Sequence, residues 1–148
     1  MLVIKQLTSA DIPQLLHVET AAHITPWSEP IFRDCFKENY YGWALKKENV
    51  IVGFIMITLR AEECEILNLC IHPTWQRTGY GRKLLNYALQ QAQALGVTMA
   101  FLEVRRSNRA AIDLYLSVGF NELDVRKNYY KTSSGYEDAI LMGYHFRY

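Results

Sequence analysis

The stretch Gln76-Arg77-Thr78-Gly79-Tyr80-Gly81-Arg82 has the residue types and spacing to hold an anion. Glycines at 79 and 81 let backbone approach a ligand closely and take up angles closed to other residues. A helical pattern begins at Tyr80, so unpaired N–H groups and a partial positive charge would be aimed at the same place. Arg77, Arg82 and Lys83 add formal charge nearby, and a phosphate or pyrophosphate is the group such a place attracts. The stretch lacks the GK[ST] ending of a P-loop and the third glycine of the dinucleotide fingerprint. A tight turn feeding a surface helix therefore stays open as the plainer reading. A branched side chain at Gly81 is expected to intrude on the phosphates.

Two other residues could move protons. Glu103 shares one face of an apolar strand with Phe101 and Met99. It is either a strand-end carboxylate paired with Arg105 or another arginine, or a general base. Tyr115, beside Ala111 and Ile112, is either an aromatic on a helix's core face or a proton donor, since a phenol near pKa ~10 stays protonated at neutral pH. Asn108 lies seven residues earlier, on the same helical face two turns away. His17, His23, His72 and His145 are dispersed without ligand spacing, so no metal site is expected. Cys35, Cys64 and Cys70 form no CxxC pair and read as buried thiols of a reducing compartment, not as nucleophiles. Tyr129-Tyr130 beside Arg126 and Lys127 could stack on nucleic acid, but the patch is small and reads as a strand end and loop with solvated charges.

Positioning these groups requires an ordered set of elements. An opening strand ends at Leu7, and Thr8-Ser9-Ala10-Asp11 starts a helix with apolar Ile12, Leu15, Leu16 and Val18. Pro26-Trp27-Ser28-Glu29 breaks that helix, and Ser28 is placed to cap a second one through Phe36. Strands follow over residues 41–46 and 50–59, joined by the turn Lys47-Glu48-Asn49. Another runs over 64–71 and stops at His72-Pro73, because proline cannot donate to a ladder. Leu85, Ala88, Leu89 and Ala92 mark one face of a helix over 80–95 that Gly96 ends. A buried strand over 99–104, a helix over 108–118 and strands over 120–127 and 139–146 close the chain. This order predicts an α+β fold with a mixed, mostly antiparallel sheet.

Bulk properties bound the rest. A chain of 148 residues with 50% hydrophobic and 21% charged residues is expected to form one domain, 1–148, around a single core. The net charge of +1 offers no global field for nucleic acid. No stretch is long enough to cross a bilayer, and the start lacks a signal peptide's apolar region, so a cytoplasmic protein without membrane contact is expected.

Asn68-Leu69-Cys70-Ile71-His72-Pro73 followed by the glycine loop resembles the signature of the GNAT acetyltransferases. The resemblance continues through Leu102-Glu103-Val104-Arg105, Ser107-Asn108, Tyr115 and Gly119-Phe120. It implies the GNAT fold, its sheet flanked by helices and splayed at an acetyl-CoA site. It implies that the backbone of Leu69, Cys70 and Ile71 holds the pantetheine arm and acetyl group. Arg77, Thr78, Gly79, Tyr80, Gly81 and Arg82 would wrap the pyrophosphate, and Asn108 would contact the cofactor. Glu103 would be the base and Tyr115 the acid. His23, Pro26-Trp27-Ser28-Glu29, Asn128-Tyr129-Tyr130 and Gly135-x-Glu137-Asp138-Ala139 further resemble the ribosomal-protein-alanine acetyltransferases of the RimI type. That likeness implies an acceptor groove for the N-terminal segment of a ribosomal protein, between the Trp27 loop and the last hairpin. The sequence departs from the type at Lys131, where proline is common, and at Cys70 and His72, where Ala and Asp are common.

Overall fold

A computed structural model describes residues 1–148. Strand β1 (Leu2–Gln6) leads through a 3-10 turn (Ser9–Asp11), where the Asp11 carboxylate accepts the Thr8 N–H at 2.9 Å, into α1 (Ile12–Ala22). The buried stripe of α1 is Ile12, Leu15, Val18 and Glu19, with Leu16 packed half-buried against the same core, so a carboxylate joins the expected apolar residues. The helix stops at Ala22, before the Pro26 segment, because His23 turns extended. Helix α2 (Glu29–Asp34) has Ser28 at its N-cap, but the serine side chain makes no capping bond, and the helix ends short of Phe36. Strands β2 (Tyr40–Lys47), β3 (Val50–Arg60) and β4 (Glu63–Ile71) form consecutive antiparallel pairs. Then come a 3-10 turn (Pro73–Trp75), α3 (Tyr80–Ala94), β5 (Met99–Arg105), α4 (Arg109–Val118), β6 (Asn121–Thr132) and β7 (Gly135–His145).

All seven strands join one sheet in the order β1-β2-β3-β4-β5-β7-β6. Every pairing is antiparallel except β4 with β5, which is parallel and lasts for three residue pairs, Glu63 to Met99 through Glu65 to Phe101. Beyond Glu65 the two strands part, which splits the sheet into two halves. A bulge in β4 marks the split: Ile57 faces Ile66 and Met56 faces Asn68, so Leu67 is the extra residue. The insertion reverses the alternation. Before it Cys64 and Ile66 join the core under α3; after it Cys70 joins the other core, under α1.

That reversal fits two unequal layers. On one face α3 and α4 cover a core running from Trp43 and Leu45 of β2 to Ile140 and Met142 of β7. On the other face, α1 and α2 cover a smaller core of Ala44, Phe54, Met56 and Cys70. The β5 and β7 side of that second face stays half-buried, with Phe101, Glu103, Arg105 and Leu141 as its floor. The hairpin of β6 and β7 extends well past the expected strands, so Tyr129 and Tyr130 lie within β6 and not in a loop. Register shifts at 122–124 and 126–130, with Asn128 at φ 52°, break the period-two pattern that would have announced it. No helix is long and apolar enough to cross a membrane.

Candidate active site

The loop from His72 to Gly79 is braced from within. The His72 Nδ1 accepts from the Thr74 N–H at 3.1 Å, the Gln76 amide donates to the Ile71 carbonyl at 2.9 Å, and the Thr78 hydroxyl donates to the Trp75 carbonyl. Trp75 stacks on Tyr80 at 6.1 Å, and the Lys47 ammonium lies over the Trp75 ring at 4.2 Å. Arg77 (φ 63°) and Gly79 (φ 85°) both sit in the left-handed region, which turns the chain sharply into α3. Lys83 is the first residue to donate back, to the Gly79 carbonyl at 3.1 Å, and no side chain caps the helix. The N–H groups of Tyr80, Gly81 and Arg82 are therefore free for an anion, with Arg77 and Arg82 exposed beside them.

The two glycines do different jobs. Gly79 supplies the left-handed turn, and a Cβ there would meet nothing within 4 Å. Gly81 has ordinary helical backbone, and its Cβ would meet Leu114 at 3.3 Å and Ile71 at 3.8 Å. The expectation that a side chain at Gly81 enters phosphate space is corrected: it would press into the α3–α4 packing.

Leu69, Cys70 and Ile71 line the part of β4 that has lost β5 as a neighbour, so their backbone edges the split. The Cys70 side chain is buried under α1 with its thiol toward the Val18 carbonyl at 3.8 Å. Asn108 is the N-cap of α4: its Oδ1 accepts the Ala111 N–H at 3.3 Å, which leaves its amide N–H groups free to donate. Burial pushes the Cys35 thiol up to about 11 and the Cys64 thiol up to about 12, so neither is a thiolate at neutral pH.

Glu103 lies at the middle of β5, opposite Leu141 of β7. Its Oε2 is buried without a hydrogen-bond partner, and the nearest cation is Arg126, with Nε at 3.5 Å. Arg105 is not its partner. That guanidinium binds Glu137 at 3.0 Å and the Lys131 carbonyl at 3.1 Å, and lies 4.5 Å over the Tyr130 ring. The reading of Glu103 as a carboxylate paired with another arginine is met by the Arg126 contact, which falls on the same Oε2 that has no hydrogen bond. Tyr115 is 7% exposed and packs against Phe120 at 5.6 Å. Burial first, then the neighbouring Tyr130, push its phenol above the ordinary range. Tyr130 is itself pushed up, by burial and then by Glu103. Its phenol stands within the influence of both proton-moving groups. Arg126 lies 5.3 Å over Tyr129 while keeping over half its side chain exposed, and Lys127 is solvated as expected.

Sequence reasoning named Arg105, Arg126 and Glu137 without finding their partners, which are remote in the chain, and missed Glu19. Glu19 is 1% exposed. It accepts from His23 Nδ1, the Trp27 N–H and Asn68 Nδ2, each at 2.9 Å. Its signal was available as an acid at a core position of the α1 period. Glu19, His23 and Cys70 bring three potential metal-ligand atoms within 4.8 Å of one another, a grouping the dispersed histidines did not suggest. Three N–H donors already occupy the carboxylate, so the grouping is satisfied as a hydrogen-bonded junction.

Residues 9–120 match the family model described as the acetyltransferase (GNAT) family. The chain is 40% identical over 142 residues to the [ribosomal protein bS18]-alanine N-acetyltransferase of Escherichia coli strain K12, covering 96% of each chain. It is 39% identical over 143 residues to the enzyme of that name from Haemophilus influenzae, covering 96% of this chain and 97% of that one. The crystal structure of the ribosomal-protein-S18-alanine N-acetyltransferase from Escherichia coli superposes with a TM-score of 0.97 at 38% identity, over 100% of this chain and 96% of that one.

Proposed function

The chain belongs to the GNAT acetyltransferase family, and from that premise we propose that it acetylates the N-terminal alanine of ribosomal protein bS18, with acetyl-CoA as co-substrate. The carrying observation is Glu103 Oε2, buried with no hydrogen bond and only the Arg126 ion pair beside it, on the open face of β5 where the sheet has split. The near full-length likeness to enzymes named for that acceptor supports the choice of amine.

The residues present fit acetyl-CoA. The free N–H groups of Tyr80, Gly81 and Arg82, with the backbone of Thr78 and Gly79 and the charges of Arg77 and Arg82, suit a pyrophosphate. The edge of β4 beyond its pairing with β5, at Leu69, Cys70 and Ile71, suits the amide-bearing arm, and the Asn108 amide N–H groups, left free by its cap, could donate from the facing element. When bound, acetyl-CoA supplies an activated acetyl thioester. Glu103 then takes the proton that the attacking amine must lose, and Tyr115 Oη holds the proton that a departing thiolate needs. Burial keeps that phenol protonated well above neutral pH. The amine attacks directly, with no acyl-enzyme, no metal and no nucleic acid or membrane partner, in the cytoplasm.

An α-amine near pKa ~7.8 is roughly a tenth free base at pH 7, whereas lysine near ~10.4 is well below a thousandth. One carboxylate is enough help for the first and marginal for the second. Mass spectrometry of bS18 from a strain lacking this gene tests the acceptor: an unmodified alanine there, restored to acetylalanine by the wild-type gene, is the expected result. Unchanged acetylation would remove the acceptor and leave a lysine or small-amine acetyltransferase of the same fold, or a non-catalytic CoA-binding domain.

A further inference from the structure

The direct chemistry uses nothing from α1, yet α1 buries a fully hydrogen-bonded carboxylate. Glu19 Oε2 accepts from the Trp27 backbone and His23 Nδ1, and Oε1 accepts from Asn68. Its three donors come from two places. Trp27 and His23 belong to the α1–α2 connection, one wall of the acceptor groove, whose Ile24 is 97% exposed at the tip. Asn68 is the first residue of β4 beyond the Leu67 bulge, directly before Leu69, Cys70 and Ile71 on the split edge.

We propose that Glu19 is a positioning residue of the acceptor site, fixing the Trp27 wall to the cofactor strand at the point where the sheet splits. The connection has little else to hold it. It contributes no helix or strand over its length, and its only apolar anchor inside the fold is Trp27, edge-on to Phe32 at 5.2 Å. A carboxylate is suited to the task because two oxygens can take several N–H donors at once, which a hydroxyl or a single carbonyl cannot. Without it the Trp27 N–H and the Asn68 amide would be left inside the protein without acceptors. The wall would then lose its fixed distance from the place of acetyl transfer, while the glycine loop and α3, on the opposite side of β4, would be untouched.

This inference rests on the proposed function and on the acceptor groove between the Trp27 loop and the last hairpin that the RimI-type likeness implies. The test is steady-state kinetics with a peptide copying the bS18 N-terminus, varying peptide and acetyl-CoA separately. In Glu19→Ala the peptide KM should rise about tenfold or more, as loss of a buried acceptor from a binding wall would cause. The acetyl-CoA KM should stay within about twofold and kcat should fall less than the peptide KM rises. Glu19→Gln should recover most of the peptide KM, because its carbonyl can face Trp27 and His23 while Asn68 turns its own oxygen to the new amide. If Glu19→Ala does not fold, Glu19→Asp is too short to reach Trp27 and Asn68 together and should show the same split with a smaller rise. An unchanged peptide KM, or peptide and acetyl-CoA KM rising together, overturns the positioning role. Should the wild-type protein fail to acetylate the peptide at all, the groove itself is wrong, a result distinct from either.

Discussion

Replacing Glu103 by glutamine keeps its shape in β5 and removes its capacity to take a proton. Turnover should fall about 10²-fold with acetyl-CoA affinity near normal, and raising the pH should restore part of it by supplying free amine. The check is kcat and acetyl-CoA KM across pH; full activity at neutral pH would place the base elsewhere. Tyr115→Phe keeps the packing against Phe120 and removes only the hydroxyl. Since burial holds that phenol protonated beyond the ordinary range, Tyr115, the proposed acid, is fully protonated across about pH 6 to 9. The variant should therefore lose about 10- to 100-fold in kcat without any change in the shape of the pH profile over that window. Glu103 and Tyr115 were legible as candidates because each has a chemistry-bearing side chain in a readable element. Their surroundings were not. Arg105 finds Glu137 across 32 residues of sequence, and Asn68 finds Glu19 across 49, so only folding brings such partners together.

Between α3 and α4 the spacing is set by a missing side chain. Gly81→Val would push a branched group against Leu114, already 3.3 Å from a single Cβ, and should cost about 1–3 kcal/mol of stability without any ligand present. A lower Tm for the apo variant is the expected reading; an unchanged Tm with lost cofactor affinity would return Gly81 to the phosphate. The glycine loop was visible in sequence because glycine and arginine punctuate it, but the direction of Gly81 was not, since that depends on where α4 docks. Helix α1 offers a second check. Burial alone would raise the Glu19 carboxyl, but hydrogen bonds from His23, Trp27 and Asn68 outweigh it and hold it below 4.5. A lowered folded value means stability that is present above pH 4.5 and lost as pH falls through the folded value. The Tm advantage of wild type over Glu19→Gln should therefore be full at pH 7 and shrink below about pH 4.5. The outer hairpin was the least legible element, because extra residues around Asn128 hide the strand alternation that runs on to Tyr130.

Across the whole molecule, the order of elements and the mostly antiparallel sheet followed from periodicity, while the split did not, because a bulge at Leu67 and three residue pairs between β4 and β5 have no local signature. The split divides labour. In the function proposed above, backbone and the start of α3 would face acetyl-CoA from one side, and the open face of β5, β6 and β7 would present Glu103 and Tyr130 to an acceptor from the other. Acetyl-CoA should raise Tm by mass action, and ATP and NAD should not. The central claim is that this face serves an α-amine. Its most direct test gives the protein acetyl-CoA and two peptides in competition: one copying the bS18 N-terminus with a free α-amine, and one with that amine blocked and an internal lysine added. Rapid acetylation of the first at its α-amine, with the second far slower, is the result expected from one carboxylate base. Faster reaction of the blocked, lysine-bearing peptide would contradict it.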